Sequence, residues 1–413
     1  MTTVTDNSNE IDQIRKNLPQ LKIQSATAHF LTATYEKTPH RRIKTTLTFP
    51  QGYPDQHALI VEISSVPPGL KKKLEKELGD VAQQGKQQVE AVLTQLINFV
   101  DTNKFVPCWK ELRQVVDMVQ NKSAQTPQGK GSTIAIHDTK GLIKLRLQGS
   151  QYYYSCIITV DDGYPSTMTH QDWGKACKLV VNSTNFPSKI EQLMTTQAKE
   201  LVRRMQDGMS PGNALKMSNP IRAPQDSKKD TTKQGKKITQ SEALASNSNN
   251  KDLSSEWQIE EKARMAGYGI PSFDESNPQP SLLTLVTFLM EKIQHLPEET
   301  CPICKELSLS TDPTILKALY ANNSTSATTT EQAKKACRIA RQKRPIRTYC
   351  GCWYHYSCLD KYIREPPFGA SCPVDSCRVY HPDWPTDVSD LERTWNAKEA
   401  RRREIEDAAM CFL

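Results

Sequence analysis

Seven cysteines and one histidine in the last third of the chain have the types and spacing of metal ligands. They read Cys301-x2-Cys304, then 45 residues, then Cys350-x-Cys352-x2-His355-x2-Cys358, then Cys372-x4-Cys377. Structural zinc takes four thiolate or imidazole ligands in a tetrahedron, so eight candidates supply two ions. A Cys-x2-Cys bite lets two sulfurs of one turn reach the same ion, and the other ligands must come from farther along the chain. Each structural zinc contributes on the order of 10 kcal/mol to folding, which a small domain with a thin core needs. The 12 cysteines would suggest disulfides in a secreted protein, but crowding between Cys301 and Cys377 points to metal in a reducing compartment.

The spacing resembles the RING finger family, in which ligand pairs one and three share an ion and pairs two and four share the other. The resemblance implies a first zinc on Cys301, Cys304, His355 and Cys358 and a second on Cys350, Cys352, Cys372 and Cys377. The fourth ligand is usually histidine in that family and here is Cys352, a thiolate that serves zinc equally well. PHD and RING-CH fingers share this ligand order. Both leave a longer gap before the histidine than the two residues between Cys352 and His355. A PHD finger also places a tryptophan two residues before its seventh ligand, where this chain has Ala370.

Three further positions match the RING pattern. Ile303 lies between the first two ligands, where the family carries an apolar residue that packs on the conjugating enzyme. Pro373 follows the seventh ligand, as in the family's Cys-Pro pattern. Arg378 directly follows the eighth, where active ligases carry a linchpin cation. Leu359-Asp360-Lys361-Tyr362-Ile363 resembles the short helix after the sixth ligand, with Tyr362 where an aromatic is common. The resemblance implies an E3 ubiquitin transferase that needs no nucleophile of its own. Its finger grips a conjugating enzyme charged with ubiquitin, and Arg378 bridges the two through its rigid fork of donors. Catalysis is then orientation. The competing class is a non-catalytic zinc-finger scaffold or a PHD-like module for proteins or histone tails.

Other reactive residues carry less. The insert at 305–349 holds Lys334, Lys335, Arg338, Arg341, Lys343, Arg344 and Arg347, either a nuclear-import or nucleic-acid patch or a solvated helix face. Cys337 breaks the ligand spacing, and His381 is a weak substitute for Cys377. Cys108, Cys156 and Cys177 are scattered singly, and no His-Pro-Asn element of an active conjugating enzyme occurs in the chain. Cys156 and Cys177 fall in expected strands and read as core residues. The tail Cys411-Phe412-Leu413 is one residue short of a prenylation box.

These residues have to be positioned by the rest of a chain of 413 residues with a modest net charge of +8, enough for two to four domains. Residues 1–20 show no apolar signal region, and the most apolar run, Leu282–Met290, is too short to span a bilayer. A cytoplasmic or nuclear protein is expected, with neither membrane nor nucleic acid as partner.

Residues 8–120 read as an α+β unit, with a helix near Glu10–Asn17 and extended stretches at Ala26–Tyr35, Arg42–Phe49 and His57–Ile63. A helix follows with Val89, Val92, Leu93, Leu96, Ile97 and Val100 on one face. Another over Trp109–Gln120 could close this unit or open the next. Residues 121–205 repeat the plan, with stretches at Ser132–His137, Leu142–Leu147, Tyr152–Val160 and Cys177–Val181. A helix carrying Ile190, Leu193, Met194, Leu201 and Val202 completes it. Leu47-Thr48-Phe49-Pro50-Gln51-Gly52-Tyr53-Pro54 matches Ile158-Thr159-Val160-Asp161-Asp162-Gly163-Tyr164-Pro165. In each copy glycine permits the sharp exit from a strand, proline fixes the next φ, and the tyrosine can pack the turn on the sheet.

That order resembles the RWD family, relatives of the ubiquitin-conjugating fold that serve as protein-interaction modules. The family's second proline is absent, since the positions hold Ala58 and Thr169. The reading continues with a polar linker at 206–255 and a helical segment at 256–298, its helix capped by Ser281 and running to about Gln294. The finger follows at 299–382, and a terminal helix at 383–413. Together these resemble the layout of the ubiquitin ligase class of the Fanconi anaemia core complex, although the zinc spacing differs. The resemblance implies that the front units hold a protein substrate or a partner complex while the finger recruits the charged conjugating enzyme.

Overall fold

The computed structural model describes residues 6–51, 53, 57–83, 88–124, 131–166, 176–218, 278–321, 344–348, 351–369, 371–374, 384 and 388–410. Among these, the strands form two four-stranded antiparallel sheets and one two-stranded sheet, flanked by helices, so the protein is of mixed α+β class. No helix among the described residues is long and apolar enough to cross a membrane.

The first sheet follows helix α1 (Asp6–Asn17) and runs in order β1 (Leu21–Ala26), β2 (Phe30–Thr38), β3 (Arg41–Thr48), β4 (Ile60–Ser64). Period-two alternation puts Leu31, Ala33, Tyr35, Ile43, Leu47, Val61 and Ile63 on the inner face. Helices α2 (Pro68–Ala82) and α3 (Gln88–Thr102) cover that face. Proline opens α2 at no cost in hydrogen bonds, and Leu70, Leu74 and Leu78 recur every turn along its buried side. The extended stretch expected over Ala26–Tyr35 holds the last residue of β1, a turn and most of β2, and the rest of β1 lies before it. The Thr27 hydroxyl accepts from the amides of His29 (3.2 Å) and Phe30 (3.1 Å), turning the chain into a hairpin.

The second sheet has the same order and pairing: β5 (Thr133–His137), β6 (Leu142–Gln148), β7 (Tyr153–Val160), β8 (Cys177–Thr184). Helix α4 (Trp109–Ala124) belongs here, because Leu112, Val115 and Val119 pack into the second core. Helix α5 (Ser188–Gln206) adds Ile190, Met194, Ala198, Leu201 and Val202. The linker expected from residue 206 begins later. Met209 and Ala214, around helix α6 (Pro211–Ser218), are buried against the same core. The rest of that linker lies outside the described residues.

A third layer closes the second core. Helix α7 (Leu282–His295) buries Leu282, Leu285, Val286, Phe288, Leu289 and Ile293 there. Ser281 stands at its N-cap, but its side chain makes no capping hydrogen bond. The end is capped from the second unit. The Tyr164 hydroxyl accepts from the amides of Ser281 (2.6 Å) and Leu282 (3.0 Å), and Glu111 Oε1 accepts from Leu283 (3.2 Å). Tyr164 donates in turn to Glu111 Oε2 at 2.5 Å. The Gly-Tyr-Pro tyrosine thus holds an incoming helix as well as its own turn.

Arg41 joins the two sheets. Its side chain is fully buried, with Nη1 2.5 Å from Asp162 Oδ1 and Nη2 donating to the Asp101 carbonyl at 2.8 Å.

Candidate metal centre

The finger hangs directly from α7. A short bridge between Thr300 and Leu307 closes the loop that carries the first ligand pair. Cys301 N donates to the Glu306 carbonyl at 2.8 Å, and Lys305 N returns to the Cys301 carbonyl at 2.8 Å. Lys305 takes φ 63°, the left-handed turn this curl requires. The second pair comes from strand β10 (Trp353–His355), which pairs with β9 (Pro345–Arg347). His355 is the N-cap of helix α9 (Tyr356–Arg364), and Cys358 lies on that helix's first turn. The two therefore face one direction.

The four groups meet although 51 residues separate Cys304 from His355. The ligand atoms of Cys301, Cys304, His355 and Cys358 all lie within 4.8 Å of one another. His355 Nδ1 is 3.3 Å from Cys304 Sγ and 3.8 Å from Cys358 Sγ. Tetrahedral zinc with bonds of about 2.0–2.3 Å requires ligand separations of roughly 3.5–3.8 Å, so the cage has the size of the ion. His355 Nε2 lies 3.0 Å from the Leu307 carbonyl and donates to it, which leaves the Nδ1 lone pair aimed at the sulfurs.

The electrostatics agree with the donor set. Burial raises the Cys301 thiol, but the amides of Cys304, His355 and Ile303 outweigh it and hold that thiol below its ordinary value. Cys358 is pushed up to about 12 by burial and by the neighbouring sulfurs of Cys301 and Cys304. Sulfurs gathered this closely repel one another as thiolates, and a divalent ion would supply the compensating charge. The residues fit one zinc.

The second ligand set is described in part. Cys352 and Cys372 are both buried in the finger's core, and the Tyr354 hydroxyl lies 2.9 Å from Cys372 Sγ. Cys350 and Cys377 lie outside the described residues, as does Arg378. Ile303 is half-buried against the finger core, and Pro373 is exposed. Lys334, Lys335, Cys337, Arg338, Arg341, Lys343 and His381 also fall outside. Of the insert's cations, Arg344 lies over the Tyr356 ring at 5.6 Å and Arg347 sits in β9.

The insert contributes structure that its composition does not suggest. Helix α8 (Pro313–Ala321) packs Leu316 into the second core, as do Leu309 before it and Trp353 from β10. Tyr152 adds a hydroxyl contact to the Ser310 carbonyl. The finger is thus docked on the second sheet unit. Its far side meets helix α10 (Val388–Met410), where Leu391 is buried in the finger core. The Trp384 ring tilts against Tyr356, centroids 5.3 Å apart, and its indole N–H donates to Asp360 at 2.6 Å.

Cys108, Cys156 and Cys177 join no metal-ligating group among the described residues. Cys156 and Cys177 are pushed up to about 12 by burial, and Cys108 is raised well above its ordinary value by burial and by Glu111. They are protonated core side chains.

No family model matches the chain, and no curated protein or solved structure is similar to it. The candidate site therefore rests on geometry: a Cys/His group able to hold a metal ion, carried by a mixed α+β protein with antiparallel sheets.

Proposed function

We propose that the protein is a RING-type E3 ubiquitin ligase, in which the finger recruits a ubiquitin-charged conjugating enzyme and two RWD-like units hold a substrate or partner complex. The observation that carries this reading is which ligands converge. Cys301 and Cys304 meet His355 and Cys358, the first ligand pair with the third, while Cys350 and Cys352 intervene in sequence. A finger built of sequential zinc knuckles would bring the first pair to the second. Interleaving leaves Cys350, Cys352, Cys372 and Cys377 for a second ion, and burial of Cys352 and Cys372 in one core supports that.

The ions hold shape and do no chemistry on substrate. Ile303 and Pro373, each with exposed surface, would contact the conjugating enzyme, and Arg378 would hydrogen-bond both it and ubiquitin. The sheet units support an RWD-like reading through their order, four antiparallel strands and then a helix that starts at Pro68 in one copy and just after Pro187 in the other.

Two measurements test this. Metal analysis of the intact protein should return two zinc ions per chain. Autoubiquitination with a panel of conjugating enzymes should give signal that Ile303→Ala and Arg378→Ala abolish at unchanged zinc content. Full zinc content with no transfer by any conjugating enzyme would leave a binding scaffold.

A further inference from the structure

The two sheets place their outward residues in corresponding rows. In the first, the row through Thr46 holds Thr32 and Glu62, and the row through Thr48 holds Phe30 and Ile60. In the second, the row through Ile157 holds Lys144 and Val180, and the row through Thr159 holds Leu142 and Lys178. Arg146 pairs with Ser155, where the first sheet pairs Thr34 with Lys44. Side chains in these rows alternate with the buried residues of each strand, so all of them face away from the helices.

The charge on these faces differs. The first mixes Lys22, Arg42 and Lys44 with Glu36 and Glu62, and Lys22 pairs with Glu36 at 3.0 Å. Strands β5 to β8 contain no aspartate or glutamate, so their outward face carries Lys144, Arg146 and Lys178 with no carboxylate between them. All three are exposed, and among the described residues no ion pair engages them. Arg146 is held in place over the Tyr153 ring at 4.4 Å. Between the cations lies an aliphatic strip of half-buried Ile157 and of Val180, which is 46% exposed. Lys144 on β6 and Lys178 on β8 stand on either side of β7 in adjacent rows, two strand spacings across and two residues along, or about 11–12 Å apart.

We infer that this outward face of the second sheet docks an acidic protein segment, an extended or helical peptide with an aliphatic side chain flanked by carboxylates. The aliphatic group would cover Ile157 and Val180, and its flanking carboxylates would reach Lys144 and Arg146 on one side and Lys178 on the other. Arg146 and Tyr153 are of types enriched in protein interfaces, and Lys144 and Lys178 would lie on the polar rim around the aliphatic strip. A single-stranded nucleic acid would need open aromatic faces for its bases. The face offers Tyr153, whose ring already carries Arg146. The inference deepens, and rests on, the reading of the front units as the part that holds a partner.

The test uses the full-length, zinc-loaded chain and fluorescence anisotropy. One probe is a labelled peptide rich in aspartate and glutamate around a leucine, and the other is a labelled oligothymidine of similar length. The peptide should bind, weaken with added salt, and lose about tenfold or more in affinity with Lys144→Glu, Arg146→Glu and Lys178→Glu combined. Val180→Asp alone should weaken it by a smaller factor. Lys22→Glu and Arg42→Glu, charge reversals at exposed positions of the other sheet, should leave it unchanged. No peptide binding, equal binding by the triple variant, or tighter binding of the oligothymidine than of the peptide would overturn the proposal. Autoubiquitination of the triple variant is measured alongside, so that loss of docking and loss of transfer are read apart.

Discussion

The two sheet units share strand order, pairing and a tyrosine at the same turn, yet they close their cores differently. The first is covered by α2 and α3, both drawn from its own segment. The second is covered by α4 and α5 and stays unfinished until α7, Leu309, Leu316 and Trp353 arrive from the finger's side. The turn tyrosines follow the same division. Tyr53 is half-buried and tilts on Phe49 at 5.2 Å, a local contact. Tyr164 has no exposed surface and caps α7. A repeat that completes itself can act as a separate module. A repeat that needs its downstream neighbour transmits that neighbour's state, so the second unit and the finger should lose order together.

The strongest way to break this comparison is to remove the metal. On the zinc reading, a strong chelator takes away on the order of 10 kcal/mol per ion, more than a finger of this size can replace. The finger should unfold, and Trp353 would leave the second core. A fully buried large apolar side chain contributes about 1.5–3 kcal/mol, so the second unit should weaken without unfolding. Hydrogen exchange would report it as faster exchange in α7, β6 and β7 and unchanged exchange in α3 and β2. Equal loss in both units, or none in the second, would refute the asymmetry.

A smaller and more local test uses the two tyrosines. Tyr164→Phe removes a hydroxyl that accepts from the amides of Ser281 and Leu282 and donates to Glu111. Leaving those buried groups unpaired should cost about 1–3 kcal/mol. Tyr53→Phe leaves its ring on Phe49, and a change at a half-exposed position of this kind should stay within about 0.5 kcal/mol. Chemical denaturation of each variant, followed by exchange at the first turn of α7, separates the two. Equal effects would mean that the cap does not matter.

Much of this architecture could be read from residue order. Alternation in Ile143, Leu145, Leu147 and in Tyr154, Cys156, Ile158, Val160 marks strands without any tertiary information. The metal quartet is legible because thiols and an imidazole at short, fixed spacings are the donor set of a structural metal site. What could not be read is which surface an apolar face meets. The stripe of Leu112, Val115 and Val119 announces a buried helix face but not which sheet buries it. Trp353 lies between two ligand candidates, Cys352 and His355, yet it packs into the core of the neighbouring unit. Ser281 has the right type and place for a cap, yet the cap comes from Tyr164, 117 residues earlier, and nothing local signals that.

The smallest effect sharpens the same contact through pH. Burial raises the Glu111 carboxyl above the ordinary glutamate range, although Tyr164 and the Leu283 amide pull it down. Its facing neighbours stay neutral under mildly acidic conditions, because burial holds Tyr164, Cys108 and Cys177 above their ordinary values. Between the unfolded glutamate pKa of about 4.3 and the raised folded value, the folded state binds more protons than the unfolded one. Stability from this group therefore falls as pH rises through that interval and levels off above it. Glu111→Gln cannot titrate, so its profile should be flatter there, although it loses one of the two acceptor oxygens that serve Leu283 and Tyr164. Exchange at the first-turn amides of α7, corrected for the intrinsic pH dependence of exchange, should show protection declining in the parent and level in the variant. The first-turn amides of α3 in the first unit, which donate to no side-chain carboxylate among the described residues, should show the same profile in both proteins. A decline that persists in Glu111→Gln would assign the titration to another group and leave the cap to Tyr164 alone.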